Sequence, residues 1–174
     1  ICKMKHASSN IDLSHCITKI LELNQIDNIC ICPGSRNAPL TATFLNNLFF
    51  NCRSHIDERS AGFFSLGMAK ASRKPSVILT TSGTAVANLL PSVIEADFSM
   101  TSLIILTADR PKKLLYTGEN QTIKQNGIFK DFIRGSLHID NNHYIDDKLF
   151  SDLQKLIQKS QGIKGVSPPG PIHI

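Results

Sequence analysis

Ser76-Val77-Ile78-Leu79-Thr80-Thr81-Ser82-Gly83-Thr84 is the stretch on which the fold turns. An apolar run of strand length passes straight into a hydroxyl-rich glycine turn, and a helical pattern follows at once. Three further runs end the same way. Asp27-Asn28-Ile29-Cys30-Ile31-Cys32 leads into Pro33-Gly34-Ser35-Arg36, and Arg53-Ser54-His55-Ile56 leads into Asp57-Glu58-Arg59. Ser102-Leu103-Ile104-Ile105-Leu106-Thr107 leads into Ala108-Asp109-Arg110-Pro111. Strands alternating with helices predict an α/β fold, a doubly wound and mostly parallel sheet flanked by helices. Ligands of such sheets bind in the crevice beyond the carboxyl ends of the strands. The four run ends bring two arginines, a carboxylate pair and a hydroxyl turn to that edge, which marks it as the candidate active site.

Outward from these runs, Ser9-Asn10 is expected to cap a helix reaching about Asn24, with Leu13, Ile17, Ile20 and Leu21 mostly on one side. A second helix is predicted from Ala38 to Phe50, with Pro39 tolerated in its first turn, and a third from Asp57 to about Ser72. Gly83-Thr84 opens a long helix toward Met100, and Pro91 predicts a kink or break in it near Leu89-Leu90. Past Pro111 the pattern weakens. A loop to about Asn126, a short helix near Ile128 to Phe132 and a strand around Ile133 to Ile139 are expected. The polar connector Asn141-Asn142-His143 and an amphipathic helix from Lys148 to Gln161 follow, then a strand beginning at Ile172.

With 174 residues, 41% of them hydrophobic, the chain suffices for one domain with a buried core. It starts at Ile1 and stops as a strand begins, so it is expected to be one domain of a longer chain. The net charge of +5 is mild and its lysines and arginines are scattered, which argues against a nucleic-acid face. No apolar run approaches the roughly 20 residues of a membrane span, and the start, with Lys3, Lys5 and His6, lacks a signal-peptide core. Five cysteines without zinc spacing read as free thiols in a reducing compartment, the cytoplasm or a plastid stroma. Cys30 and Cys32 are expected to point to opposite sheet faces and not to pair with each other.

Each candidate side chain has a chemical reason and an ordinary alternative. Thr81 and Gly83 lie in a turn whose helix N-terminus presents free N–H groups, although a plain N-cap explains that turn as well. Asp57 and Glu58 open a helix, where the macrodipole favours acids. Two carboxylates there can divide the work, one capping and one reaching into the cleft to share a proton with a heterocycle nitrogen. Arg36 and Arg110 lie just past apolar strands, where a guanidinium can grip a carboxylate bidentately or form a structural ion pair. Together they favour a polycarboxylate ligand. Asn120 and Gln121 sit in a loop expected to fold over the same edge. The chain has no G-x-G-x-x-G and no G-x-x-x-x-G-K-[ST], so the common nucleotide fingerprints are absent.

The same residues carry a resemblance to a known family. Ile31-Cys32-Pro33-Gly34-Ser35-Arg36-Asn37-Ala38-Pro39-Leu40, His55-Ile56-Asp57-Glu58-Arg59-Ser60-Ala61-Gly62-Phe63, Thr81-Ser82-Gly83-Thr84-Ala85-Val86-Ala87-Asn88, Leu106-Thr107-Ala108-Asp109-Arg110-Pro111 and Gly118-Glu119-Asn120-Gln121 follow one another in order. In that order they resemble the 2-succinyl-5-enolpyruvyl-6-hydroxy-3-cyclohexene-1-carboxylate synthases, thiamine-diphosphate enzymes of menaquinone and phylloquinone biosynthesis. The charged Glu119 stands where that family usually has a small residue.

The resemblance implies that the chain is the N-terminal pyrimidine-binding domain. Glu58 is then the carboxylate that hydrogen-bonds the aminopyrimidine ring nitrogen of the cofactor and promotes removal of the thiazolium C2 proton. Thr81 and Gly83 fall to the cofactor as well, and Ser35, Arg36, Arg110, Asn120 and Gln121 fall to the substrates, 2-oxoglutarate and isochorismate. The diphosphate and its Mg2+ or Mn2+ belong to another domain, of the same or a second subunit of a homodimer or homotetramer, so this chain holds no metal and by itself is expected to be inactive. Two alternatives stand beside that reading. One is a related thiamine-diphosphate decarboxylase or acetohydroxyacid-synthase-like domain; the other is a non-catalytic α/β module that binds a carboxylate or a partner.

Overall fold

The computed structural model describes residues 9–140 and 144–174, so the polar connector expected at Asn141-Asn142-His143 lies outside the described residues, as do Lys3, Lys5 and His6. Helix α1 (Asn10–Leu23) starts at a capping box in which the Ser9 hydroxyl takes the Asp12 N–H and Asp12 returns a bond to Ser9. Strand β1 (Asn28–Ile31), α2 (Ala38–Leu45), β2 (Asn51–Ser54), α3 (Glu58–Ser72) and β3 (Ser76–Thr80) follow. Then come α4 (Thr84–Ala87), α5 (Leu90–Phe98), β4 (Leu103–Thr107), α6 (Asp147–Gln161) and β5 (Ile172–His173). All strand pairs are parallel, in the order β2-β1-β3-β4-β5. The chain runs outward from β1 in both directions, so the topological switch point lies between β1 and β3.

The period-two alternation of the strands divides the core into two layers. Ile29, Ile31, Val77, Leu79, Ile104 and Leu106 face α1, α2 and α6, among Ile17, Phe44 and Leu153. Ile78, Leu103 and Ile105 face α3 and α5, among Leu66, Leu89 and Val93. Each such side chain removed from water contributes about 1.5–3 kcal/mol. Cys30 and Cys32 share this second layer. The expectation that they point apart is therefore corrected, since residues two apart on a strand share a face. Both thiols are free, and burial pushes each up to about 12.

The element boundaries carry further differences. Pro91 breaks the long helix as expected, leaving a gap at Asn88 and Leu89 between α4 and α5. The second helix ends five residues earlier than the sequence suggested, because Asn46 caps it and the Asn47 side chain accepts the Phe49 N–H at 3.0 Å in a turn of its own. β2 sits two residues upstream of the run Arg53 to Ile56. Among the described residues it pairs only with β1, at the sheet edge, and Ile56 stands 94% exposed beyond it. The strand expected around Ile133 to Ile139 reduces to a single bridge between Ser136 and His173. Leu137 donates to the His173 carbonyl at 2.9 Å and His173 to the Gly135 carbonyl at 3.1 Å, but β5 is too short for a longer ladder. Near Ile128 to Phe132 the helix is a 3-10 turn, Lys130–Phe132.

Candidate active site

Parallel strands aim their carboxyl ends one way, so the turns after β1, β2, β3 and β4 share one edge of the sheet. At the switch point the turns after β1 and β3 touch: a Cβ on Gly34 would run into the Thr81 side chain. Only glycine lets these two backbones approach so closely. Asn37 locks the first turn from within, its buried amide donating to the Cys32 carbonyl at 2.8 Å.

Arg36 reaches across this point. Its Nη1 donates to Ser82 Oγ at 2.9 Å and to Gln121 Oε1 at 2.7 Å, and its Nη2 donates to the Asn120 carbonyl at 3.0 Å. Arg110 arrives from the end of β4 and donates from Nη2 to the same Asn120 carbonyl at 3.2 Å. It also pairs with Glu119 Oε2 at 3.5 Å, while its buried Nε has no partner among the described residues. Two guanidiniums thus converge on one oxygen, and the loop carrying Asn120 and Gln121 lies over them. Pro111 follows with an extended ψ of 142°, and a proline at that place restricts Arg110 to extended backbone. Ser35 is exposed on the turn that bears Arg36.

Asp109 sits among these charges. Burial raises its carboxyl above the usual range, against the Arg110 N–H that it accepts at 2.7 Å and the charges of His138 and Arg36. On the α1 side a cavity of about 170 Å³ opens beside Arg36, Asp109 and Arg110, walled by Leu13, Leu40 and Leu137. His173 lines it too, hydrogen-bonded to Thr107 Oγ1 at 2.8 Å and driven down to about 4 by burial.

The acid pair at the start of α3 divides as its sequence suggested. Asp57 is the N-cap, its Oδ1 accepting the Ser60 N–H at 2.7 Å, and hydrogen bonding by the Ser60 side chain, with this backbone bond, holds its carboxyl below the usual range. Glu58 is left half-buried, accepting one 3.3 Å bond at Oε2 from Asn88 Nδ2. Its charge is close enough to the Cys32 thiol to add to the upward push on it. Asn88 owes its position to the helix break before Pro91.

The β3 turn differs from the sequence reading in one respect. The Gly83 N–H donates to Gln125 Oε1 at 2.8 Å, so it is already engaged, and α4 is only four residues long. Gly83 holds φ +84°, and a Cβ there would meet Gln121 Cγ at 2.8 Å and its carbonyl oxygen at 2.9 Å. Its contribution is close approach rather than a free donor. The sequence reading holds Ser82 and Asn88 only within quoted motifs and does not name Gln125. A buried glutamine in a loop gives no signal in sequence; its partners are backbone atoms of other elements.

The sheet order, the switch-point crevice and the division between one capping and one free carboxylate define an α/β cofactor-binding domain of the doubly wound kind. The family model described as thiamine pyrophosphate enzyme, N-terminal TPP binding domain, matches residues 11–128, and the chain belongs to that family. Among curated proteins it is similar to the 2-succinyl-5-enolpyruvyl-6-hydroxy-3-cyclohexene-1-carboxylate synthase of Chlorobium phaeobacteroides, 44% identical over 86% of this chain and 25% of the relative. The enzymes of that name from Chloroflexus aurantiacus (42% identical, 91% of this chain, 26% of the relative) and Vibrio campbellii (48%, 70%, 22%) are similar as well. The chain spans about a quarter of the length of these curated relatives.

The residues present offer polar groups that fit a bound thiamine diphosphate. Glu58 keeps an oxygen that takes no hydrogen bond among the described residues, and the buried Thr81 Oγ1 is likewise unpartnered there. Among the described residues no three His, Cys, Asp or Glu side chains gather as a metal site, and no helix is long and apolar enough to cross a membrane.

Proposed function

We propose that the protein carrying this chain is a 2-succinyl-5-enolpyruvyl-6-hydroxy-3-cyclohexene-1-carboxylate synthase of menaquinone or phylloquinone biosynthesis. It decarboxylates 2-oxoglutarate and joins the remaining four-carbon unit to isochorismate, a carbon–carbon bond-forming transfer. The observation that carries this reading is the convergence of Arg36 and Arg110 on the Asn120 carbonyl oxygen. Two guanidiniums that already hold one oxygen suit a carboxylate, and each substrate has two. Similarity to enzymes of that name supports the same reading.

Thiamine diphosphate, when bound, supplies an acidic thiazolium carbon at which a 2-oxo acid loses carbon dioxide. Glu58 shares a proton with the pyrimidine ring nitrogen, and Asn88 holds the carboxylate from its other oxygen. Thr81 contributes its free hydroxyl to the cofactor, and Gly83 borders the same site by letting Gln121 lie directly on the turn. Arg36, Arg110, Ser35, Gln121 and Asn120 bind and orient the substrate carboxylates. Residues 1–174 form the pyrimidine-binding domain; a diphosphate-binding domain, of the same or a second subunit in a homodimer or homotetramer, covers Glu58 and carries Mg2+ or Mn2+. Ile56, just before Glu58, and Phe63 and Phe64, on the helix that Glu58 opens, are exposed apolar side chains that support such a cover. The enzyme acts in the cytoplasm or a plastid stroma.

The complete protein, supplied with thiamine diphosphate, magnesium, 2-oxoglutarate and isochorismate, is expected to yield the succinylated cyclohexene product by mass spectrometry. Residues 1–174 alone are expected to yield none. Turnover of another 2-oxo acid without use of isochorismate would replace the synthase by a related decarboxylase. No activity with any 2-oxo acid would leave a non-catalytic module.

A further inference from the structure

We infer that Gln125 is a positioning residue of the carboxylate site, an assignment that rests on the synthase reading above. Gln125 is 3% exposed, and its amide joins two strand ends that no backbone ladder links to the loop above them. Oε1 accepts the Gly83 N–H at 2.8 Å, after β3, and Nε2 donates to the Ala108 carbonyl at 3.0 Å, after β4. Gly83 itself is buried, so this amide has no water to turn to if Gln125 is removed. Ala108 lies two residues before Arg110. Gln121 lies four residues before Gln125 and packs directly on Gly83, its carbonyl accepting the Ser82 hydroxyl at 2.8 Å.

Gln125, with the Ser82 hydroxyl on the Gln121 carbonyl, therefore fixes the height of the loop over both arginines. That height decides where Asn120 and Gln121 meet Arg36 and Arg110, and so where the guanidinium faces point. Gln125 borders the cavity beside the arginines, but its hydrogen bonds go to Gly83 and Ala108 and not to either guanidinium. Only a group that accepts and donates at once can serve, because Gly83 offers a donor and Ala108 an acceptor.

This requirement supplies the test. In the complete protein, Gln125→Leu keeps the bulk and deletes both bonds, and a displacement of about 1 Å at a site can cost about a hundredfold. We expect KM to rise at least about tenfold for one of the two substrates, with kcat within about twofold of wild type. The dissociation constant of that acid, from calorimetric titration into cofactor-free protein, should rise in parallel. Gln125→Glu gives the sharper measurement. Its anion cannot donate to Ala108, whereas its protonated carboxyl can accept from Gly83 and donate to Ala108, and burial raises its pKa toward the neutral range. The ratio of variant to wild-type KM should therefore fall toward one as the pH is lowered from about 8 to about 6.

A merely structural glutamine would lower the melting temperature without that pH-dependent recovery. If Gln125→Leu fails to fold, the Gln125→Glu profile decides alone. KM and binding equal to wild type in both variants overturn the assignment and leave the synthase reading intact. Wild-type protein that neither binds nor turns over the two acids defeats the synthase reading, and this assignment with it.

Discussion

Glu58 and Arg110 stand at the ends of strands in one parallel sheet, yet their surroundings are opposites. Among the described residues Glu58 holds a single 3.3 Å hydrogen bond, from Asn88, and Ile56, Phe63 and Phe64 of the same stretch of chain are exposed. Arg110 is enclosed by its own chain, bonded to the Asn120 carbonyl, paired with Glu119 and flanked by Arg36 on the same oxygen. In the proposed function the acid–base half is open and is completed by another surface. The anion half is assembled in advance, with chain atoms standing where a carboxylate would. Removing a group should therefore cost chemistry at the first place and substrate affinity at the second.

The largest effect is expected at Glu58. In the complete protein, Glu58→Gln keeps an oxygen for Asn88 but cannot share a proton with the pyrimidine nitrogen. Positioned acid–base groups contribute about 10²–10⁴-fold, so kcat should fall by that factor. The melting temperature should hardly move, because the carboxylate is half-exposed and the cap of α3 is Asp57. Rate assays and thermal unfolding of the same preparation decide it. An unchanged kcat would return Glu58 to the role of a helix-start acid and erase the contrast with Arg110.

At Arg110 the expected loss is smaller and of another kind. Lysine keeps the charge and loses the planar fork, so Arg110→Lys should raise KM for a dicarboxylate substrate. A charge-assisted bond is worth about 1.5–3 kcal/mol, or roughly 10–150-fold. Cofactor affinity, read by fluorescence titration, should stay near wild type. A fallen melting temperature with wild-type kinetics would make Arg110 a scaffold residue.

How much of this was legible follows the same contrast. Three of the four strand runs showed themselves because a buried strand leaves a continuous apolar record, and Ser76 to Thr80 matched the observed strand residue for residue; the run before Asp57 was displaced because β2 is an exposed, polar edge strand. Asp57 and Glu58 could be separated into cap and free acid because helix-start chemistry is local. Arg36 and Arg110 were legible as candidates, but their shared oxygen was not. It belongs to a loop held by Ser82 and Gln125 through backbone atoms far away in sequence. Ile133 to Ile139 misled for a related reason: its apolar alternation packs against the core without a partner strand long enough to make a ladder. The second helix ended early at Asn46 and Asn47, where side chains compete with the helix for backbone partners.

The smallest expected effect tests whether the anion half is occupied by a stand-in of the chain's own. Glu119 places a carboxylate oxygen 3.5 Å from Arg110 Nη2, at 43% side-chain exposure, as an incoming substrate carboxylate would. Glu119→Gln removes that competitor while keeping the size of the side chain, and Arg110 retains the Asn120 carbonyl. Exposed ion pairs are worth about 0.2–1 kcal/mol, so KM for a dicarboxylate should drop by only about 1.5–5-fold, with kcat unchanged. Added salt should shrink the difference between the two proteins, since the competing pair is solvent-facing and screened. A KM that rises instead would mean that Glu119 aims Arg110 rather than competing for it. The enclosed half would then depend on its own carboxylate to hold its shape, and its readiness for substrate would come from Glu119 as much as from the arginines.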